Sequence, residues 1–208
     1  MDIIEQKVYS KEVIEFTAVA NEYCAFTDRV NDYNGIQVLR FMQRILPLLY
    51  SKILALPVFE PVLEDNPEKY VTEADWQRVH DSIIVKLGEA NDYLEVFDEA
   101  MDFSESAVSS GIAEDLADIY QDIKDYLVSY SIGTLEIMNE ALWQCTENFN
   151  LYWGQTLVNT LRAIHSALKT PEKIGEQTDR PRSEAGDIDT SDWIISKRME
   201  DEREADYE

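Results

Sequence analysis

An all-α fold, a single-domain antiparallel bundle of four to five helices, follows from three features of this 208-residue chain. Residues 134–169 carry apolar side chains at three- and four-residue spacings (Met138, Leu142, Cys145, Phe149, Tyr152). Val158, Leu161, Ile164 and Leu168 continue the stripe after Gly154, so the stretch reads as one long amphipathic C-terminal helix. Ile112, Leu116, Ile119, Ile123, Tyr126 and Tyr130 form a second seam at alternating three- and four-residue steps. Clusters of turn residues separate such stretches, and the length suits one core rather than two.

Each element has its own signal. Residues 1–9 read as a loose lead-in, and Ser10 as the cap of a first helix. Val13, Phe16, Ala20, Tyr23 and Val30 mark its buried stripe, to about residue 30. Residues 31–35 are turn chemistry, with Asn34 and Gly35 suited to positive φ. The second helix, 36–56, is apolar nearly all round, which predicts a central position; Pro47 predicts a kink or a split. Residues 57–70 carry three prolines and read as a surface connection. Thr72 and Asp75 form a variant capping box that opens a third helix. That helix turns Trp76, Val79, His80, Ile83 and Leu87 inward and ends at Gly88. Residues 92–106 are predicted irregular or extended. Ser109, Ser110 and Gly111 open a fourth helix to about Ser131, and Thr134 caps the long final one.

The bundle domain is thus placed at 1–170. Residues 171–208 read as an acidic, mostly disordered tail, flexible or partly docked. Within it Trp193, Ile194 and Ile195 form an apolar island, a candidate docking motif for this bundle or for a partner.

Charge limits the function classes. Forty-two acidic against 18 basic residues give a formal net charge of −24. A field of that sign repels phosphates and anionic membranes, which argues against direct nucleic-acid or membrane binding and favours basic proteins or metal cations. The tail holds only −7 of it, leaving −17 on residues 1–170. Cys24 and Cys145, far apart in apolar patterns, make neither a disulfide framework nor a zinc site. The first residues show no basic stretch followed by an apolar run, and the apolar segment 45–56 is too short to span a bilayer. A cytoplasmic protein is expected.

The most specific chemical feature lies in the fourth helix. At about 100° per residue, Asp115, Asp118, Asp122 and Asp125 share one stripe, while Lys124 points elsewhere. Like charges so spaced cost about 0.2–0.5 kcal/mol per pair, and the last two sit toward the unfavourable helix C-terminus. The stripe therefore calls for a cation: Arg40 or Arg44 of the second helix, a basic partner, or a divalent metal. The bland reading, carboxylates solvated or salt-bridged in an acidic chain, stands beside it. Glu95 with Asp98, and Glu99 with Asp102, superficially match the magnesium pairs of all-α nucleotide pyrophosphohydrolases, though no basic phosphate cluster accompanies them. A di-iron site is excluded, because Gln77 and Arg162 precede His80 and His165 where glutamate is required. His165 reads as a partly buried, hydrogen-bonded residue. Gly154 costs about 1 kcal/mol inside a helix, which suggests close approach of a neighbouring helix beside Trp153. Tyr120, Tyr152, Trp153, Arg162 and His165 are candidates to line a ligand cleft.

Two stretches, 114–126 (EDLADIYQDIKDY) and 152–165 (YWGQTLVNTLRAIH), with 45–50 and 76–87, resemble a bacterial domain-of-unknown-function family, the one numbered 5063. The resemblance spans about residues 8–168. It implies a compact helical domain of a bacterial cytoplasm, with no activity, cofactor or catalytic residue to carry over.

The expectation is a non-catalytic interaction or adaptor domain that presents an acidic surface to a basic partner and needs no cofactor. The alternatives are a magnesium-dependent hydrolase of nucleotides or related phosphates using Asp115, Asp118 and Asp122, and an acidic mimic of nucleic acid.

Overall fold

A computed structural model of the chain describes residues 3–63, 68–94 and 109–175. The lead-in forms a short helix, α1 (Ile3–Val8), packed on the helix of residues 135–148. Ser10 accepts from the Val13 N–H and opens α2 (Lys11–Asp28), whose Val13, Phe16, Ala20 and Tyr23 are buried as their spacing predicts. The turn after it differs from expectation. Asn34 is an N-cap at φ −82°, with Gln37 returning its hydrogen bond, so Gly35 lies inside α3 (Gly35–Leu54). Gly35 answers close approach instead: a Cβ there would meet the Lys86 carbonyl oxygen at 2.3 Å. Pro47 does not split α3, which runs unbroken through its exposed position.

Thr72 and Asp75 form the predicted capping box of α4 (Glu73–Leu87), and Gly88 caps its end. The segment after it is extended as expected, but only 92–94 of it is described. Here β1 (Asp92–Leu94) pairs antiparallel with β2 (Ser109–Gly111), Tyr93 opposite Ser110. Ser109 and Ser110 therefore do not open the fourth helix. α5 (Ile112–Ile132) starts after Gly111, and Asn91 caps it from outside by accepting the Ala113 N–H at 2.9 Å.

Thr134 caps α6 (Leu135–Asn148), which passes through a π-helical turn at Phe149–Trp153 into α7 (Gly154–Ala167). The predicted long helix is thus one rod with a π turn inside it. That turn moves the buried stripe. Tyr152 and Val158 are 44% and 43% exposed, while Trp153 and Leu157 are fully buried. A Cβ on Gly154 would meet the Phe149 carbonyl oxygen at 2.6 Å and its ring at 2.9 Å. The π turn itself, not a neighbouring helix, requires the glycine.

In the resulting antiparallel bundle, α3 packs on α2, α4 and α7, whereas α5 packs on α2, α4, α6 and α7. The most surrounded helix is therefore the one carrying the aspartates, rather than the more apolar α3. The chain does not leave the bundle at 170. A short turn at Pro171–Lys173 brings Ile174 into the core and lets the Gly175 N–H donate to the Leu87 carbonyl at 3.0 Å.

Candidate functional site

Because α5 has neighbours on so many sides, its four aspartates meet different elements and do not share one environment. Asp115, 5% exposed, accepts from the Tyr93 hydroxyl at 2.5 Å, from Ser110 at 3.1 Å, and from the Thr160 hydroxyl. Asp118 takes the Trp76 indole N–H at 2.7 Å. Asp122 takes the Asn148 amide at 2.7 Å and the Tyr152 hydroxyl at 2.9 Å. Asp125 takes the backbone N–H groups of Tyr70 and Val71 at 2.7 and 2.8 Å.

Every one of these donors is neutral. Arg40 and Arg44, the expected counter-charges, are exposed and make no ion pair with any described residue. Among the described residues no three His, Cys, Asp or Glu side chains converge as a metal-ligand set. Asp115 is folded into the hairpin, while Asp125 holds a loop. Glu95, Asp98, Glu99 and Asp102 lie outside the described residues, as do Trp193, Ile194 and Ile195.

At two of the aspartates burial outweighs the donors. Loss of solvent pushes the Asp122 carboxyl up, against the Asn148 and Tyr152 hydrogen bonds and the charge of Lys69. Desolvation likewise raises Asp118, with help from Glu114 and against the Trp76 hydrogen bond. Tyr152 is raised by burial and by the charge of Asp122.

The proposed cleft residues do not come together. Tyr120 donates to Asp28 at 2.6 Å, where Lys124 and Arg78 also converge to tie α2, α4 and α5. Burial alone would raise Asp28; the Lys124 and Tyr120 hydrogen bonds and the two cations outweigh it and lower the carboxyl. Trp153 is fully buried and donates to the Cys145 carbonyl. Arg162 donates to the Leu94 carbonyl at 2.7 Å, and His165 is exposed beside Gln43. Only Tyr152 lines a cavity, because the π turn has rotated it out of the core.

That cavity, about 250 Å³, lies between residues 68–69, α5 and α6, lined by Asp122, Asp125 and Ser129 on one side and Gln144, Cys145 and Asn148 on the other. A smaller hollow of about 120 Å³, with Asp118, Gln121 and Thr156, shares Lys69, Asp122 and Tyr152 with it. Together they form one groove along α5. Asp125 holds residues 70–71 beside it, and Glu140, 2% exposed, holds residues 62–63 through the Val62 and Leu63 N–H groups. Glu140, Ser129, Asn148, Glu68 and Lys69 escape a reading of the sequence. Their importance lies in backbone donors and loop positions that have no periodicity to betray them.

The geometry defines an all-α bundle protein with a polar, acid-rimmed groove on its aspartate helix. Residues 7–170 match the model of the family described as Domain of unknown function (DUF5063), and the chain belongs to that family. Among solved structures, the crystal structure of protein BF1032 from Bacteroides fragilis is similar, with a TM-score of 0.70 at 39% identity, over 85% of this chain and 99% of that one. No curated protein matches the chain. Among the described residues no helix is long and apolar enough to cross a membrane.

Proposed function

We propose that this is a non-catalytic interaction domain of the cytoplasm whose acidic groove receives a basic protein partner. One observation carries the reading. Among the described residues Asp118, Asp122 and Asp125 accept hydrogen bonds from neutral groups only and form no ion pair. Neutral donors fix a carboxylate without cancelling its field, which reaches about 10 Å at 0.1 M salt. Glu68 adds to that field, and among the described residues Lys69 is the one basic residue lining the groove. The net charge of −24 gives the same sign to long-range steering, and free, buried Cys24 and Cys145 suit a reducing compartment.

Fluorescence anisotropy with an arginine- and lysine-rich peptide, at about 0.05 M and about 0.5 M salt, tests this. Binding should weaken at the higher salt. The double change Asp118→Asn with Asp122→Asn should cost about tenfold, roughly 1.4 kcal/mol, whereas Asp32→Asn, which removes one charge from the turn after α2, should cost nothing. A peptide that binds the double variant as tightly as the parent removes the groove from the account.

A further inference from the structure

We infer that the cavity between residues 68–69, α5 and α6 is a specific site for one slender organic cation, an ammonium or guanidinium group on a short aliphatic stem. The inference rests on the acidic-groove reading and names what enters the groove.

The observation independent of charge is Ser129. It is 2% exposed and lines the cavity, yet its hydroxyl makes no hydrogen bond to any described residue. No fully enclosed side-chain nitrogen or oxygen among the described residues lacks a partner, so what little exposure Ser129 keeps is its hydroxyl opening on the cavity. Buried hydroxyls are nearly always paired, and an unpaired one on a cavity wall marks a place for a ligand atom.

The carboxylates supply the sign. Asp122 accepts both of its hydrogen bonds on Oδ1, and so does Asp125; in each the Oδ2 atom takes none from the described residues. Glu68 also has no hydrogen-bond partner among them. Two free carboxylate oxygens, a third carboxylate and a free hydroxyl match a group with several N–H donors. Size narrows the choice further. About 250 Å³ gives room for one basic side chain or small amine.

Calorimetry of the full chain with n-butylguanidinium reads this directly, with n-butanol as the uncharged match. One saturable site is expected for the cation and none for the alcohol. Ser129→Ala should weaken binding about three- to tenfold, and Ser129→Val, which fills the space, should abolish it, thermal melts showing that both variants fold. Lys69→Ala should tighten binding, since it removes a competing charge. Displacement of the arginine-rich peptide by n-butylguanidinium would assign the natural cation to a partner's side chain; binding without displacement would assign it to a free amine. The inference is overturned if no saturation occurs by about 10 mM, if Ser129→Val binds as the parent does, or if Lys69→Ala weakens binding, as an anion site would. Peptide binding that survives Ser129→Val but falls in the Asp118 and Asp122 double variant would leave the acidic surface standing without this site.

Discussion

The Asp122 side chain accepts two hydrogen bonds on one oxygen, and loss of solvent still pushes its carboxyl up. A folded-state value above the unfolded one means that the native protein holds the proton more tightly than the unfolded chain. The contribution of Asp122 to stability is therefore present in acid, below the ordinary carboxylate value of about 4, and is lost as pH rises through the folded-state value. Asp122→Asn keeps an acceptor oxygen for Asn148 and Tyr152 but cannot ionise. It should melt above the parent near neutral pH, and the gap should close toward about pH 3. A lower melting temperature near neutral pH would contradict this assignment. The same residue marks the limit of what the chain reveals by itself. Helical spacing correctly places the four aspartates along one helix and shows that no cation on that helix meets them. It says nothing of an indole, an amide, four hydroxyls or two backbone N–H groups arriving from elsewhere, and these, rather than arginines, are what the carboxylates found.

The rod from α6 to α7 shows the same boundary one level up. Its caps and its apolar character are legible in Thr134 and in Met138, Leu142 and Cys145, all of which behave as their spacing requires. A π turn adds a residue to one helical turn, so a stripe extrapolated at 3.6 residues per turn slips by one position beyond it. Tyr152 is exposed, and Trp153 is buried, for this reason. The slip is what delivers Tyr152 to the groove. Gly154 is its local signature, and replacing it sets two effects against each other. Alanine gains about 1 kcal/mol of helix propensity, while a Cβ at 2.6 Å from a backbone oxygen forces a rearrangement costing about 1–3 kcal/mol. The clash involves backbone, which cannot swing away, so Gly154→Ala should lose about 1–2 kcal/mol in urea denaturation. A net gain would mean that the π turn relaxes freely to an α turn.

Composition alone predicts that the bundle ends at residue 170, since Pro171 begins a stretch poor in apolar residues. The fold gives residues 171–175 a task that composition hides: a single apolar side chain, Ile174, closes the gap where Gly35 of α3 meets the end of α4. Ile174 is 6% exposed, its Cγ2 lies against Gly35, and the Gly175 N–H satisfies the orphan carbonyl of Leu87. Comparing a chain ended at 175 with one ended at 170 isolates this strap. Both lack residues 176–208 and hence the same acidic charge, and the five residues that differ carry Glu172 and Lys173, which cancel. Any difference is therefore packing and hydrogen bonding rather than relief of self-repulsion. Burying an isoleucine contributes about 1.5–3 kcal/mol and the hydrogen bond about 1 kcal/mol, against the entropy of ordering a few residues at about 1–2 kcal/mol each. The two sides nearly cancel, and the buried side chain with its hydrogen bond tips the balance, so the longer chain should be more stable by at most about 1 kcal/mol, read as a slightly higher urea midpoint with a similar slope. Equal midpoints would show that the strap rests on the bundle without contributing to it, and would return the end of the domain to residue 170.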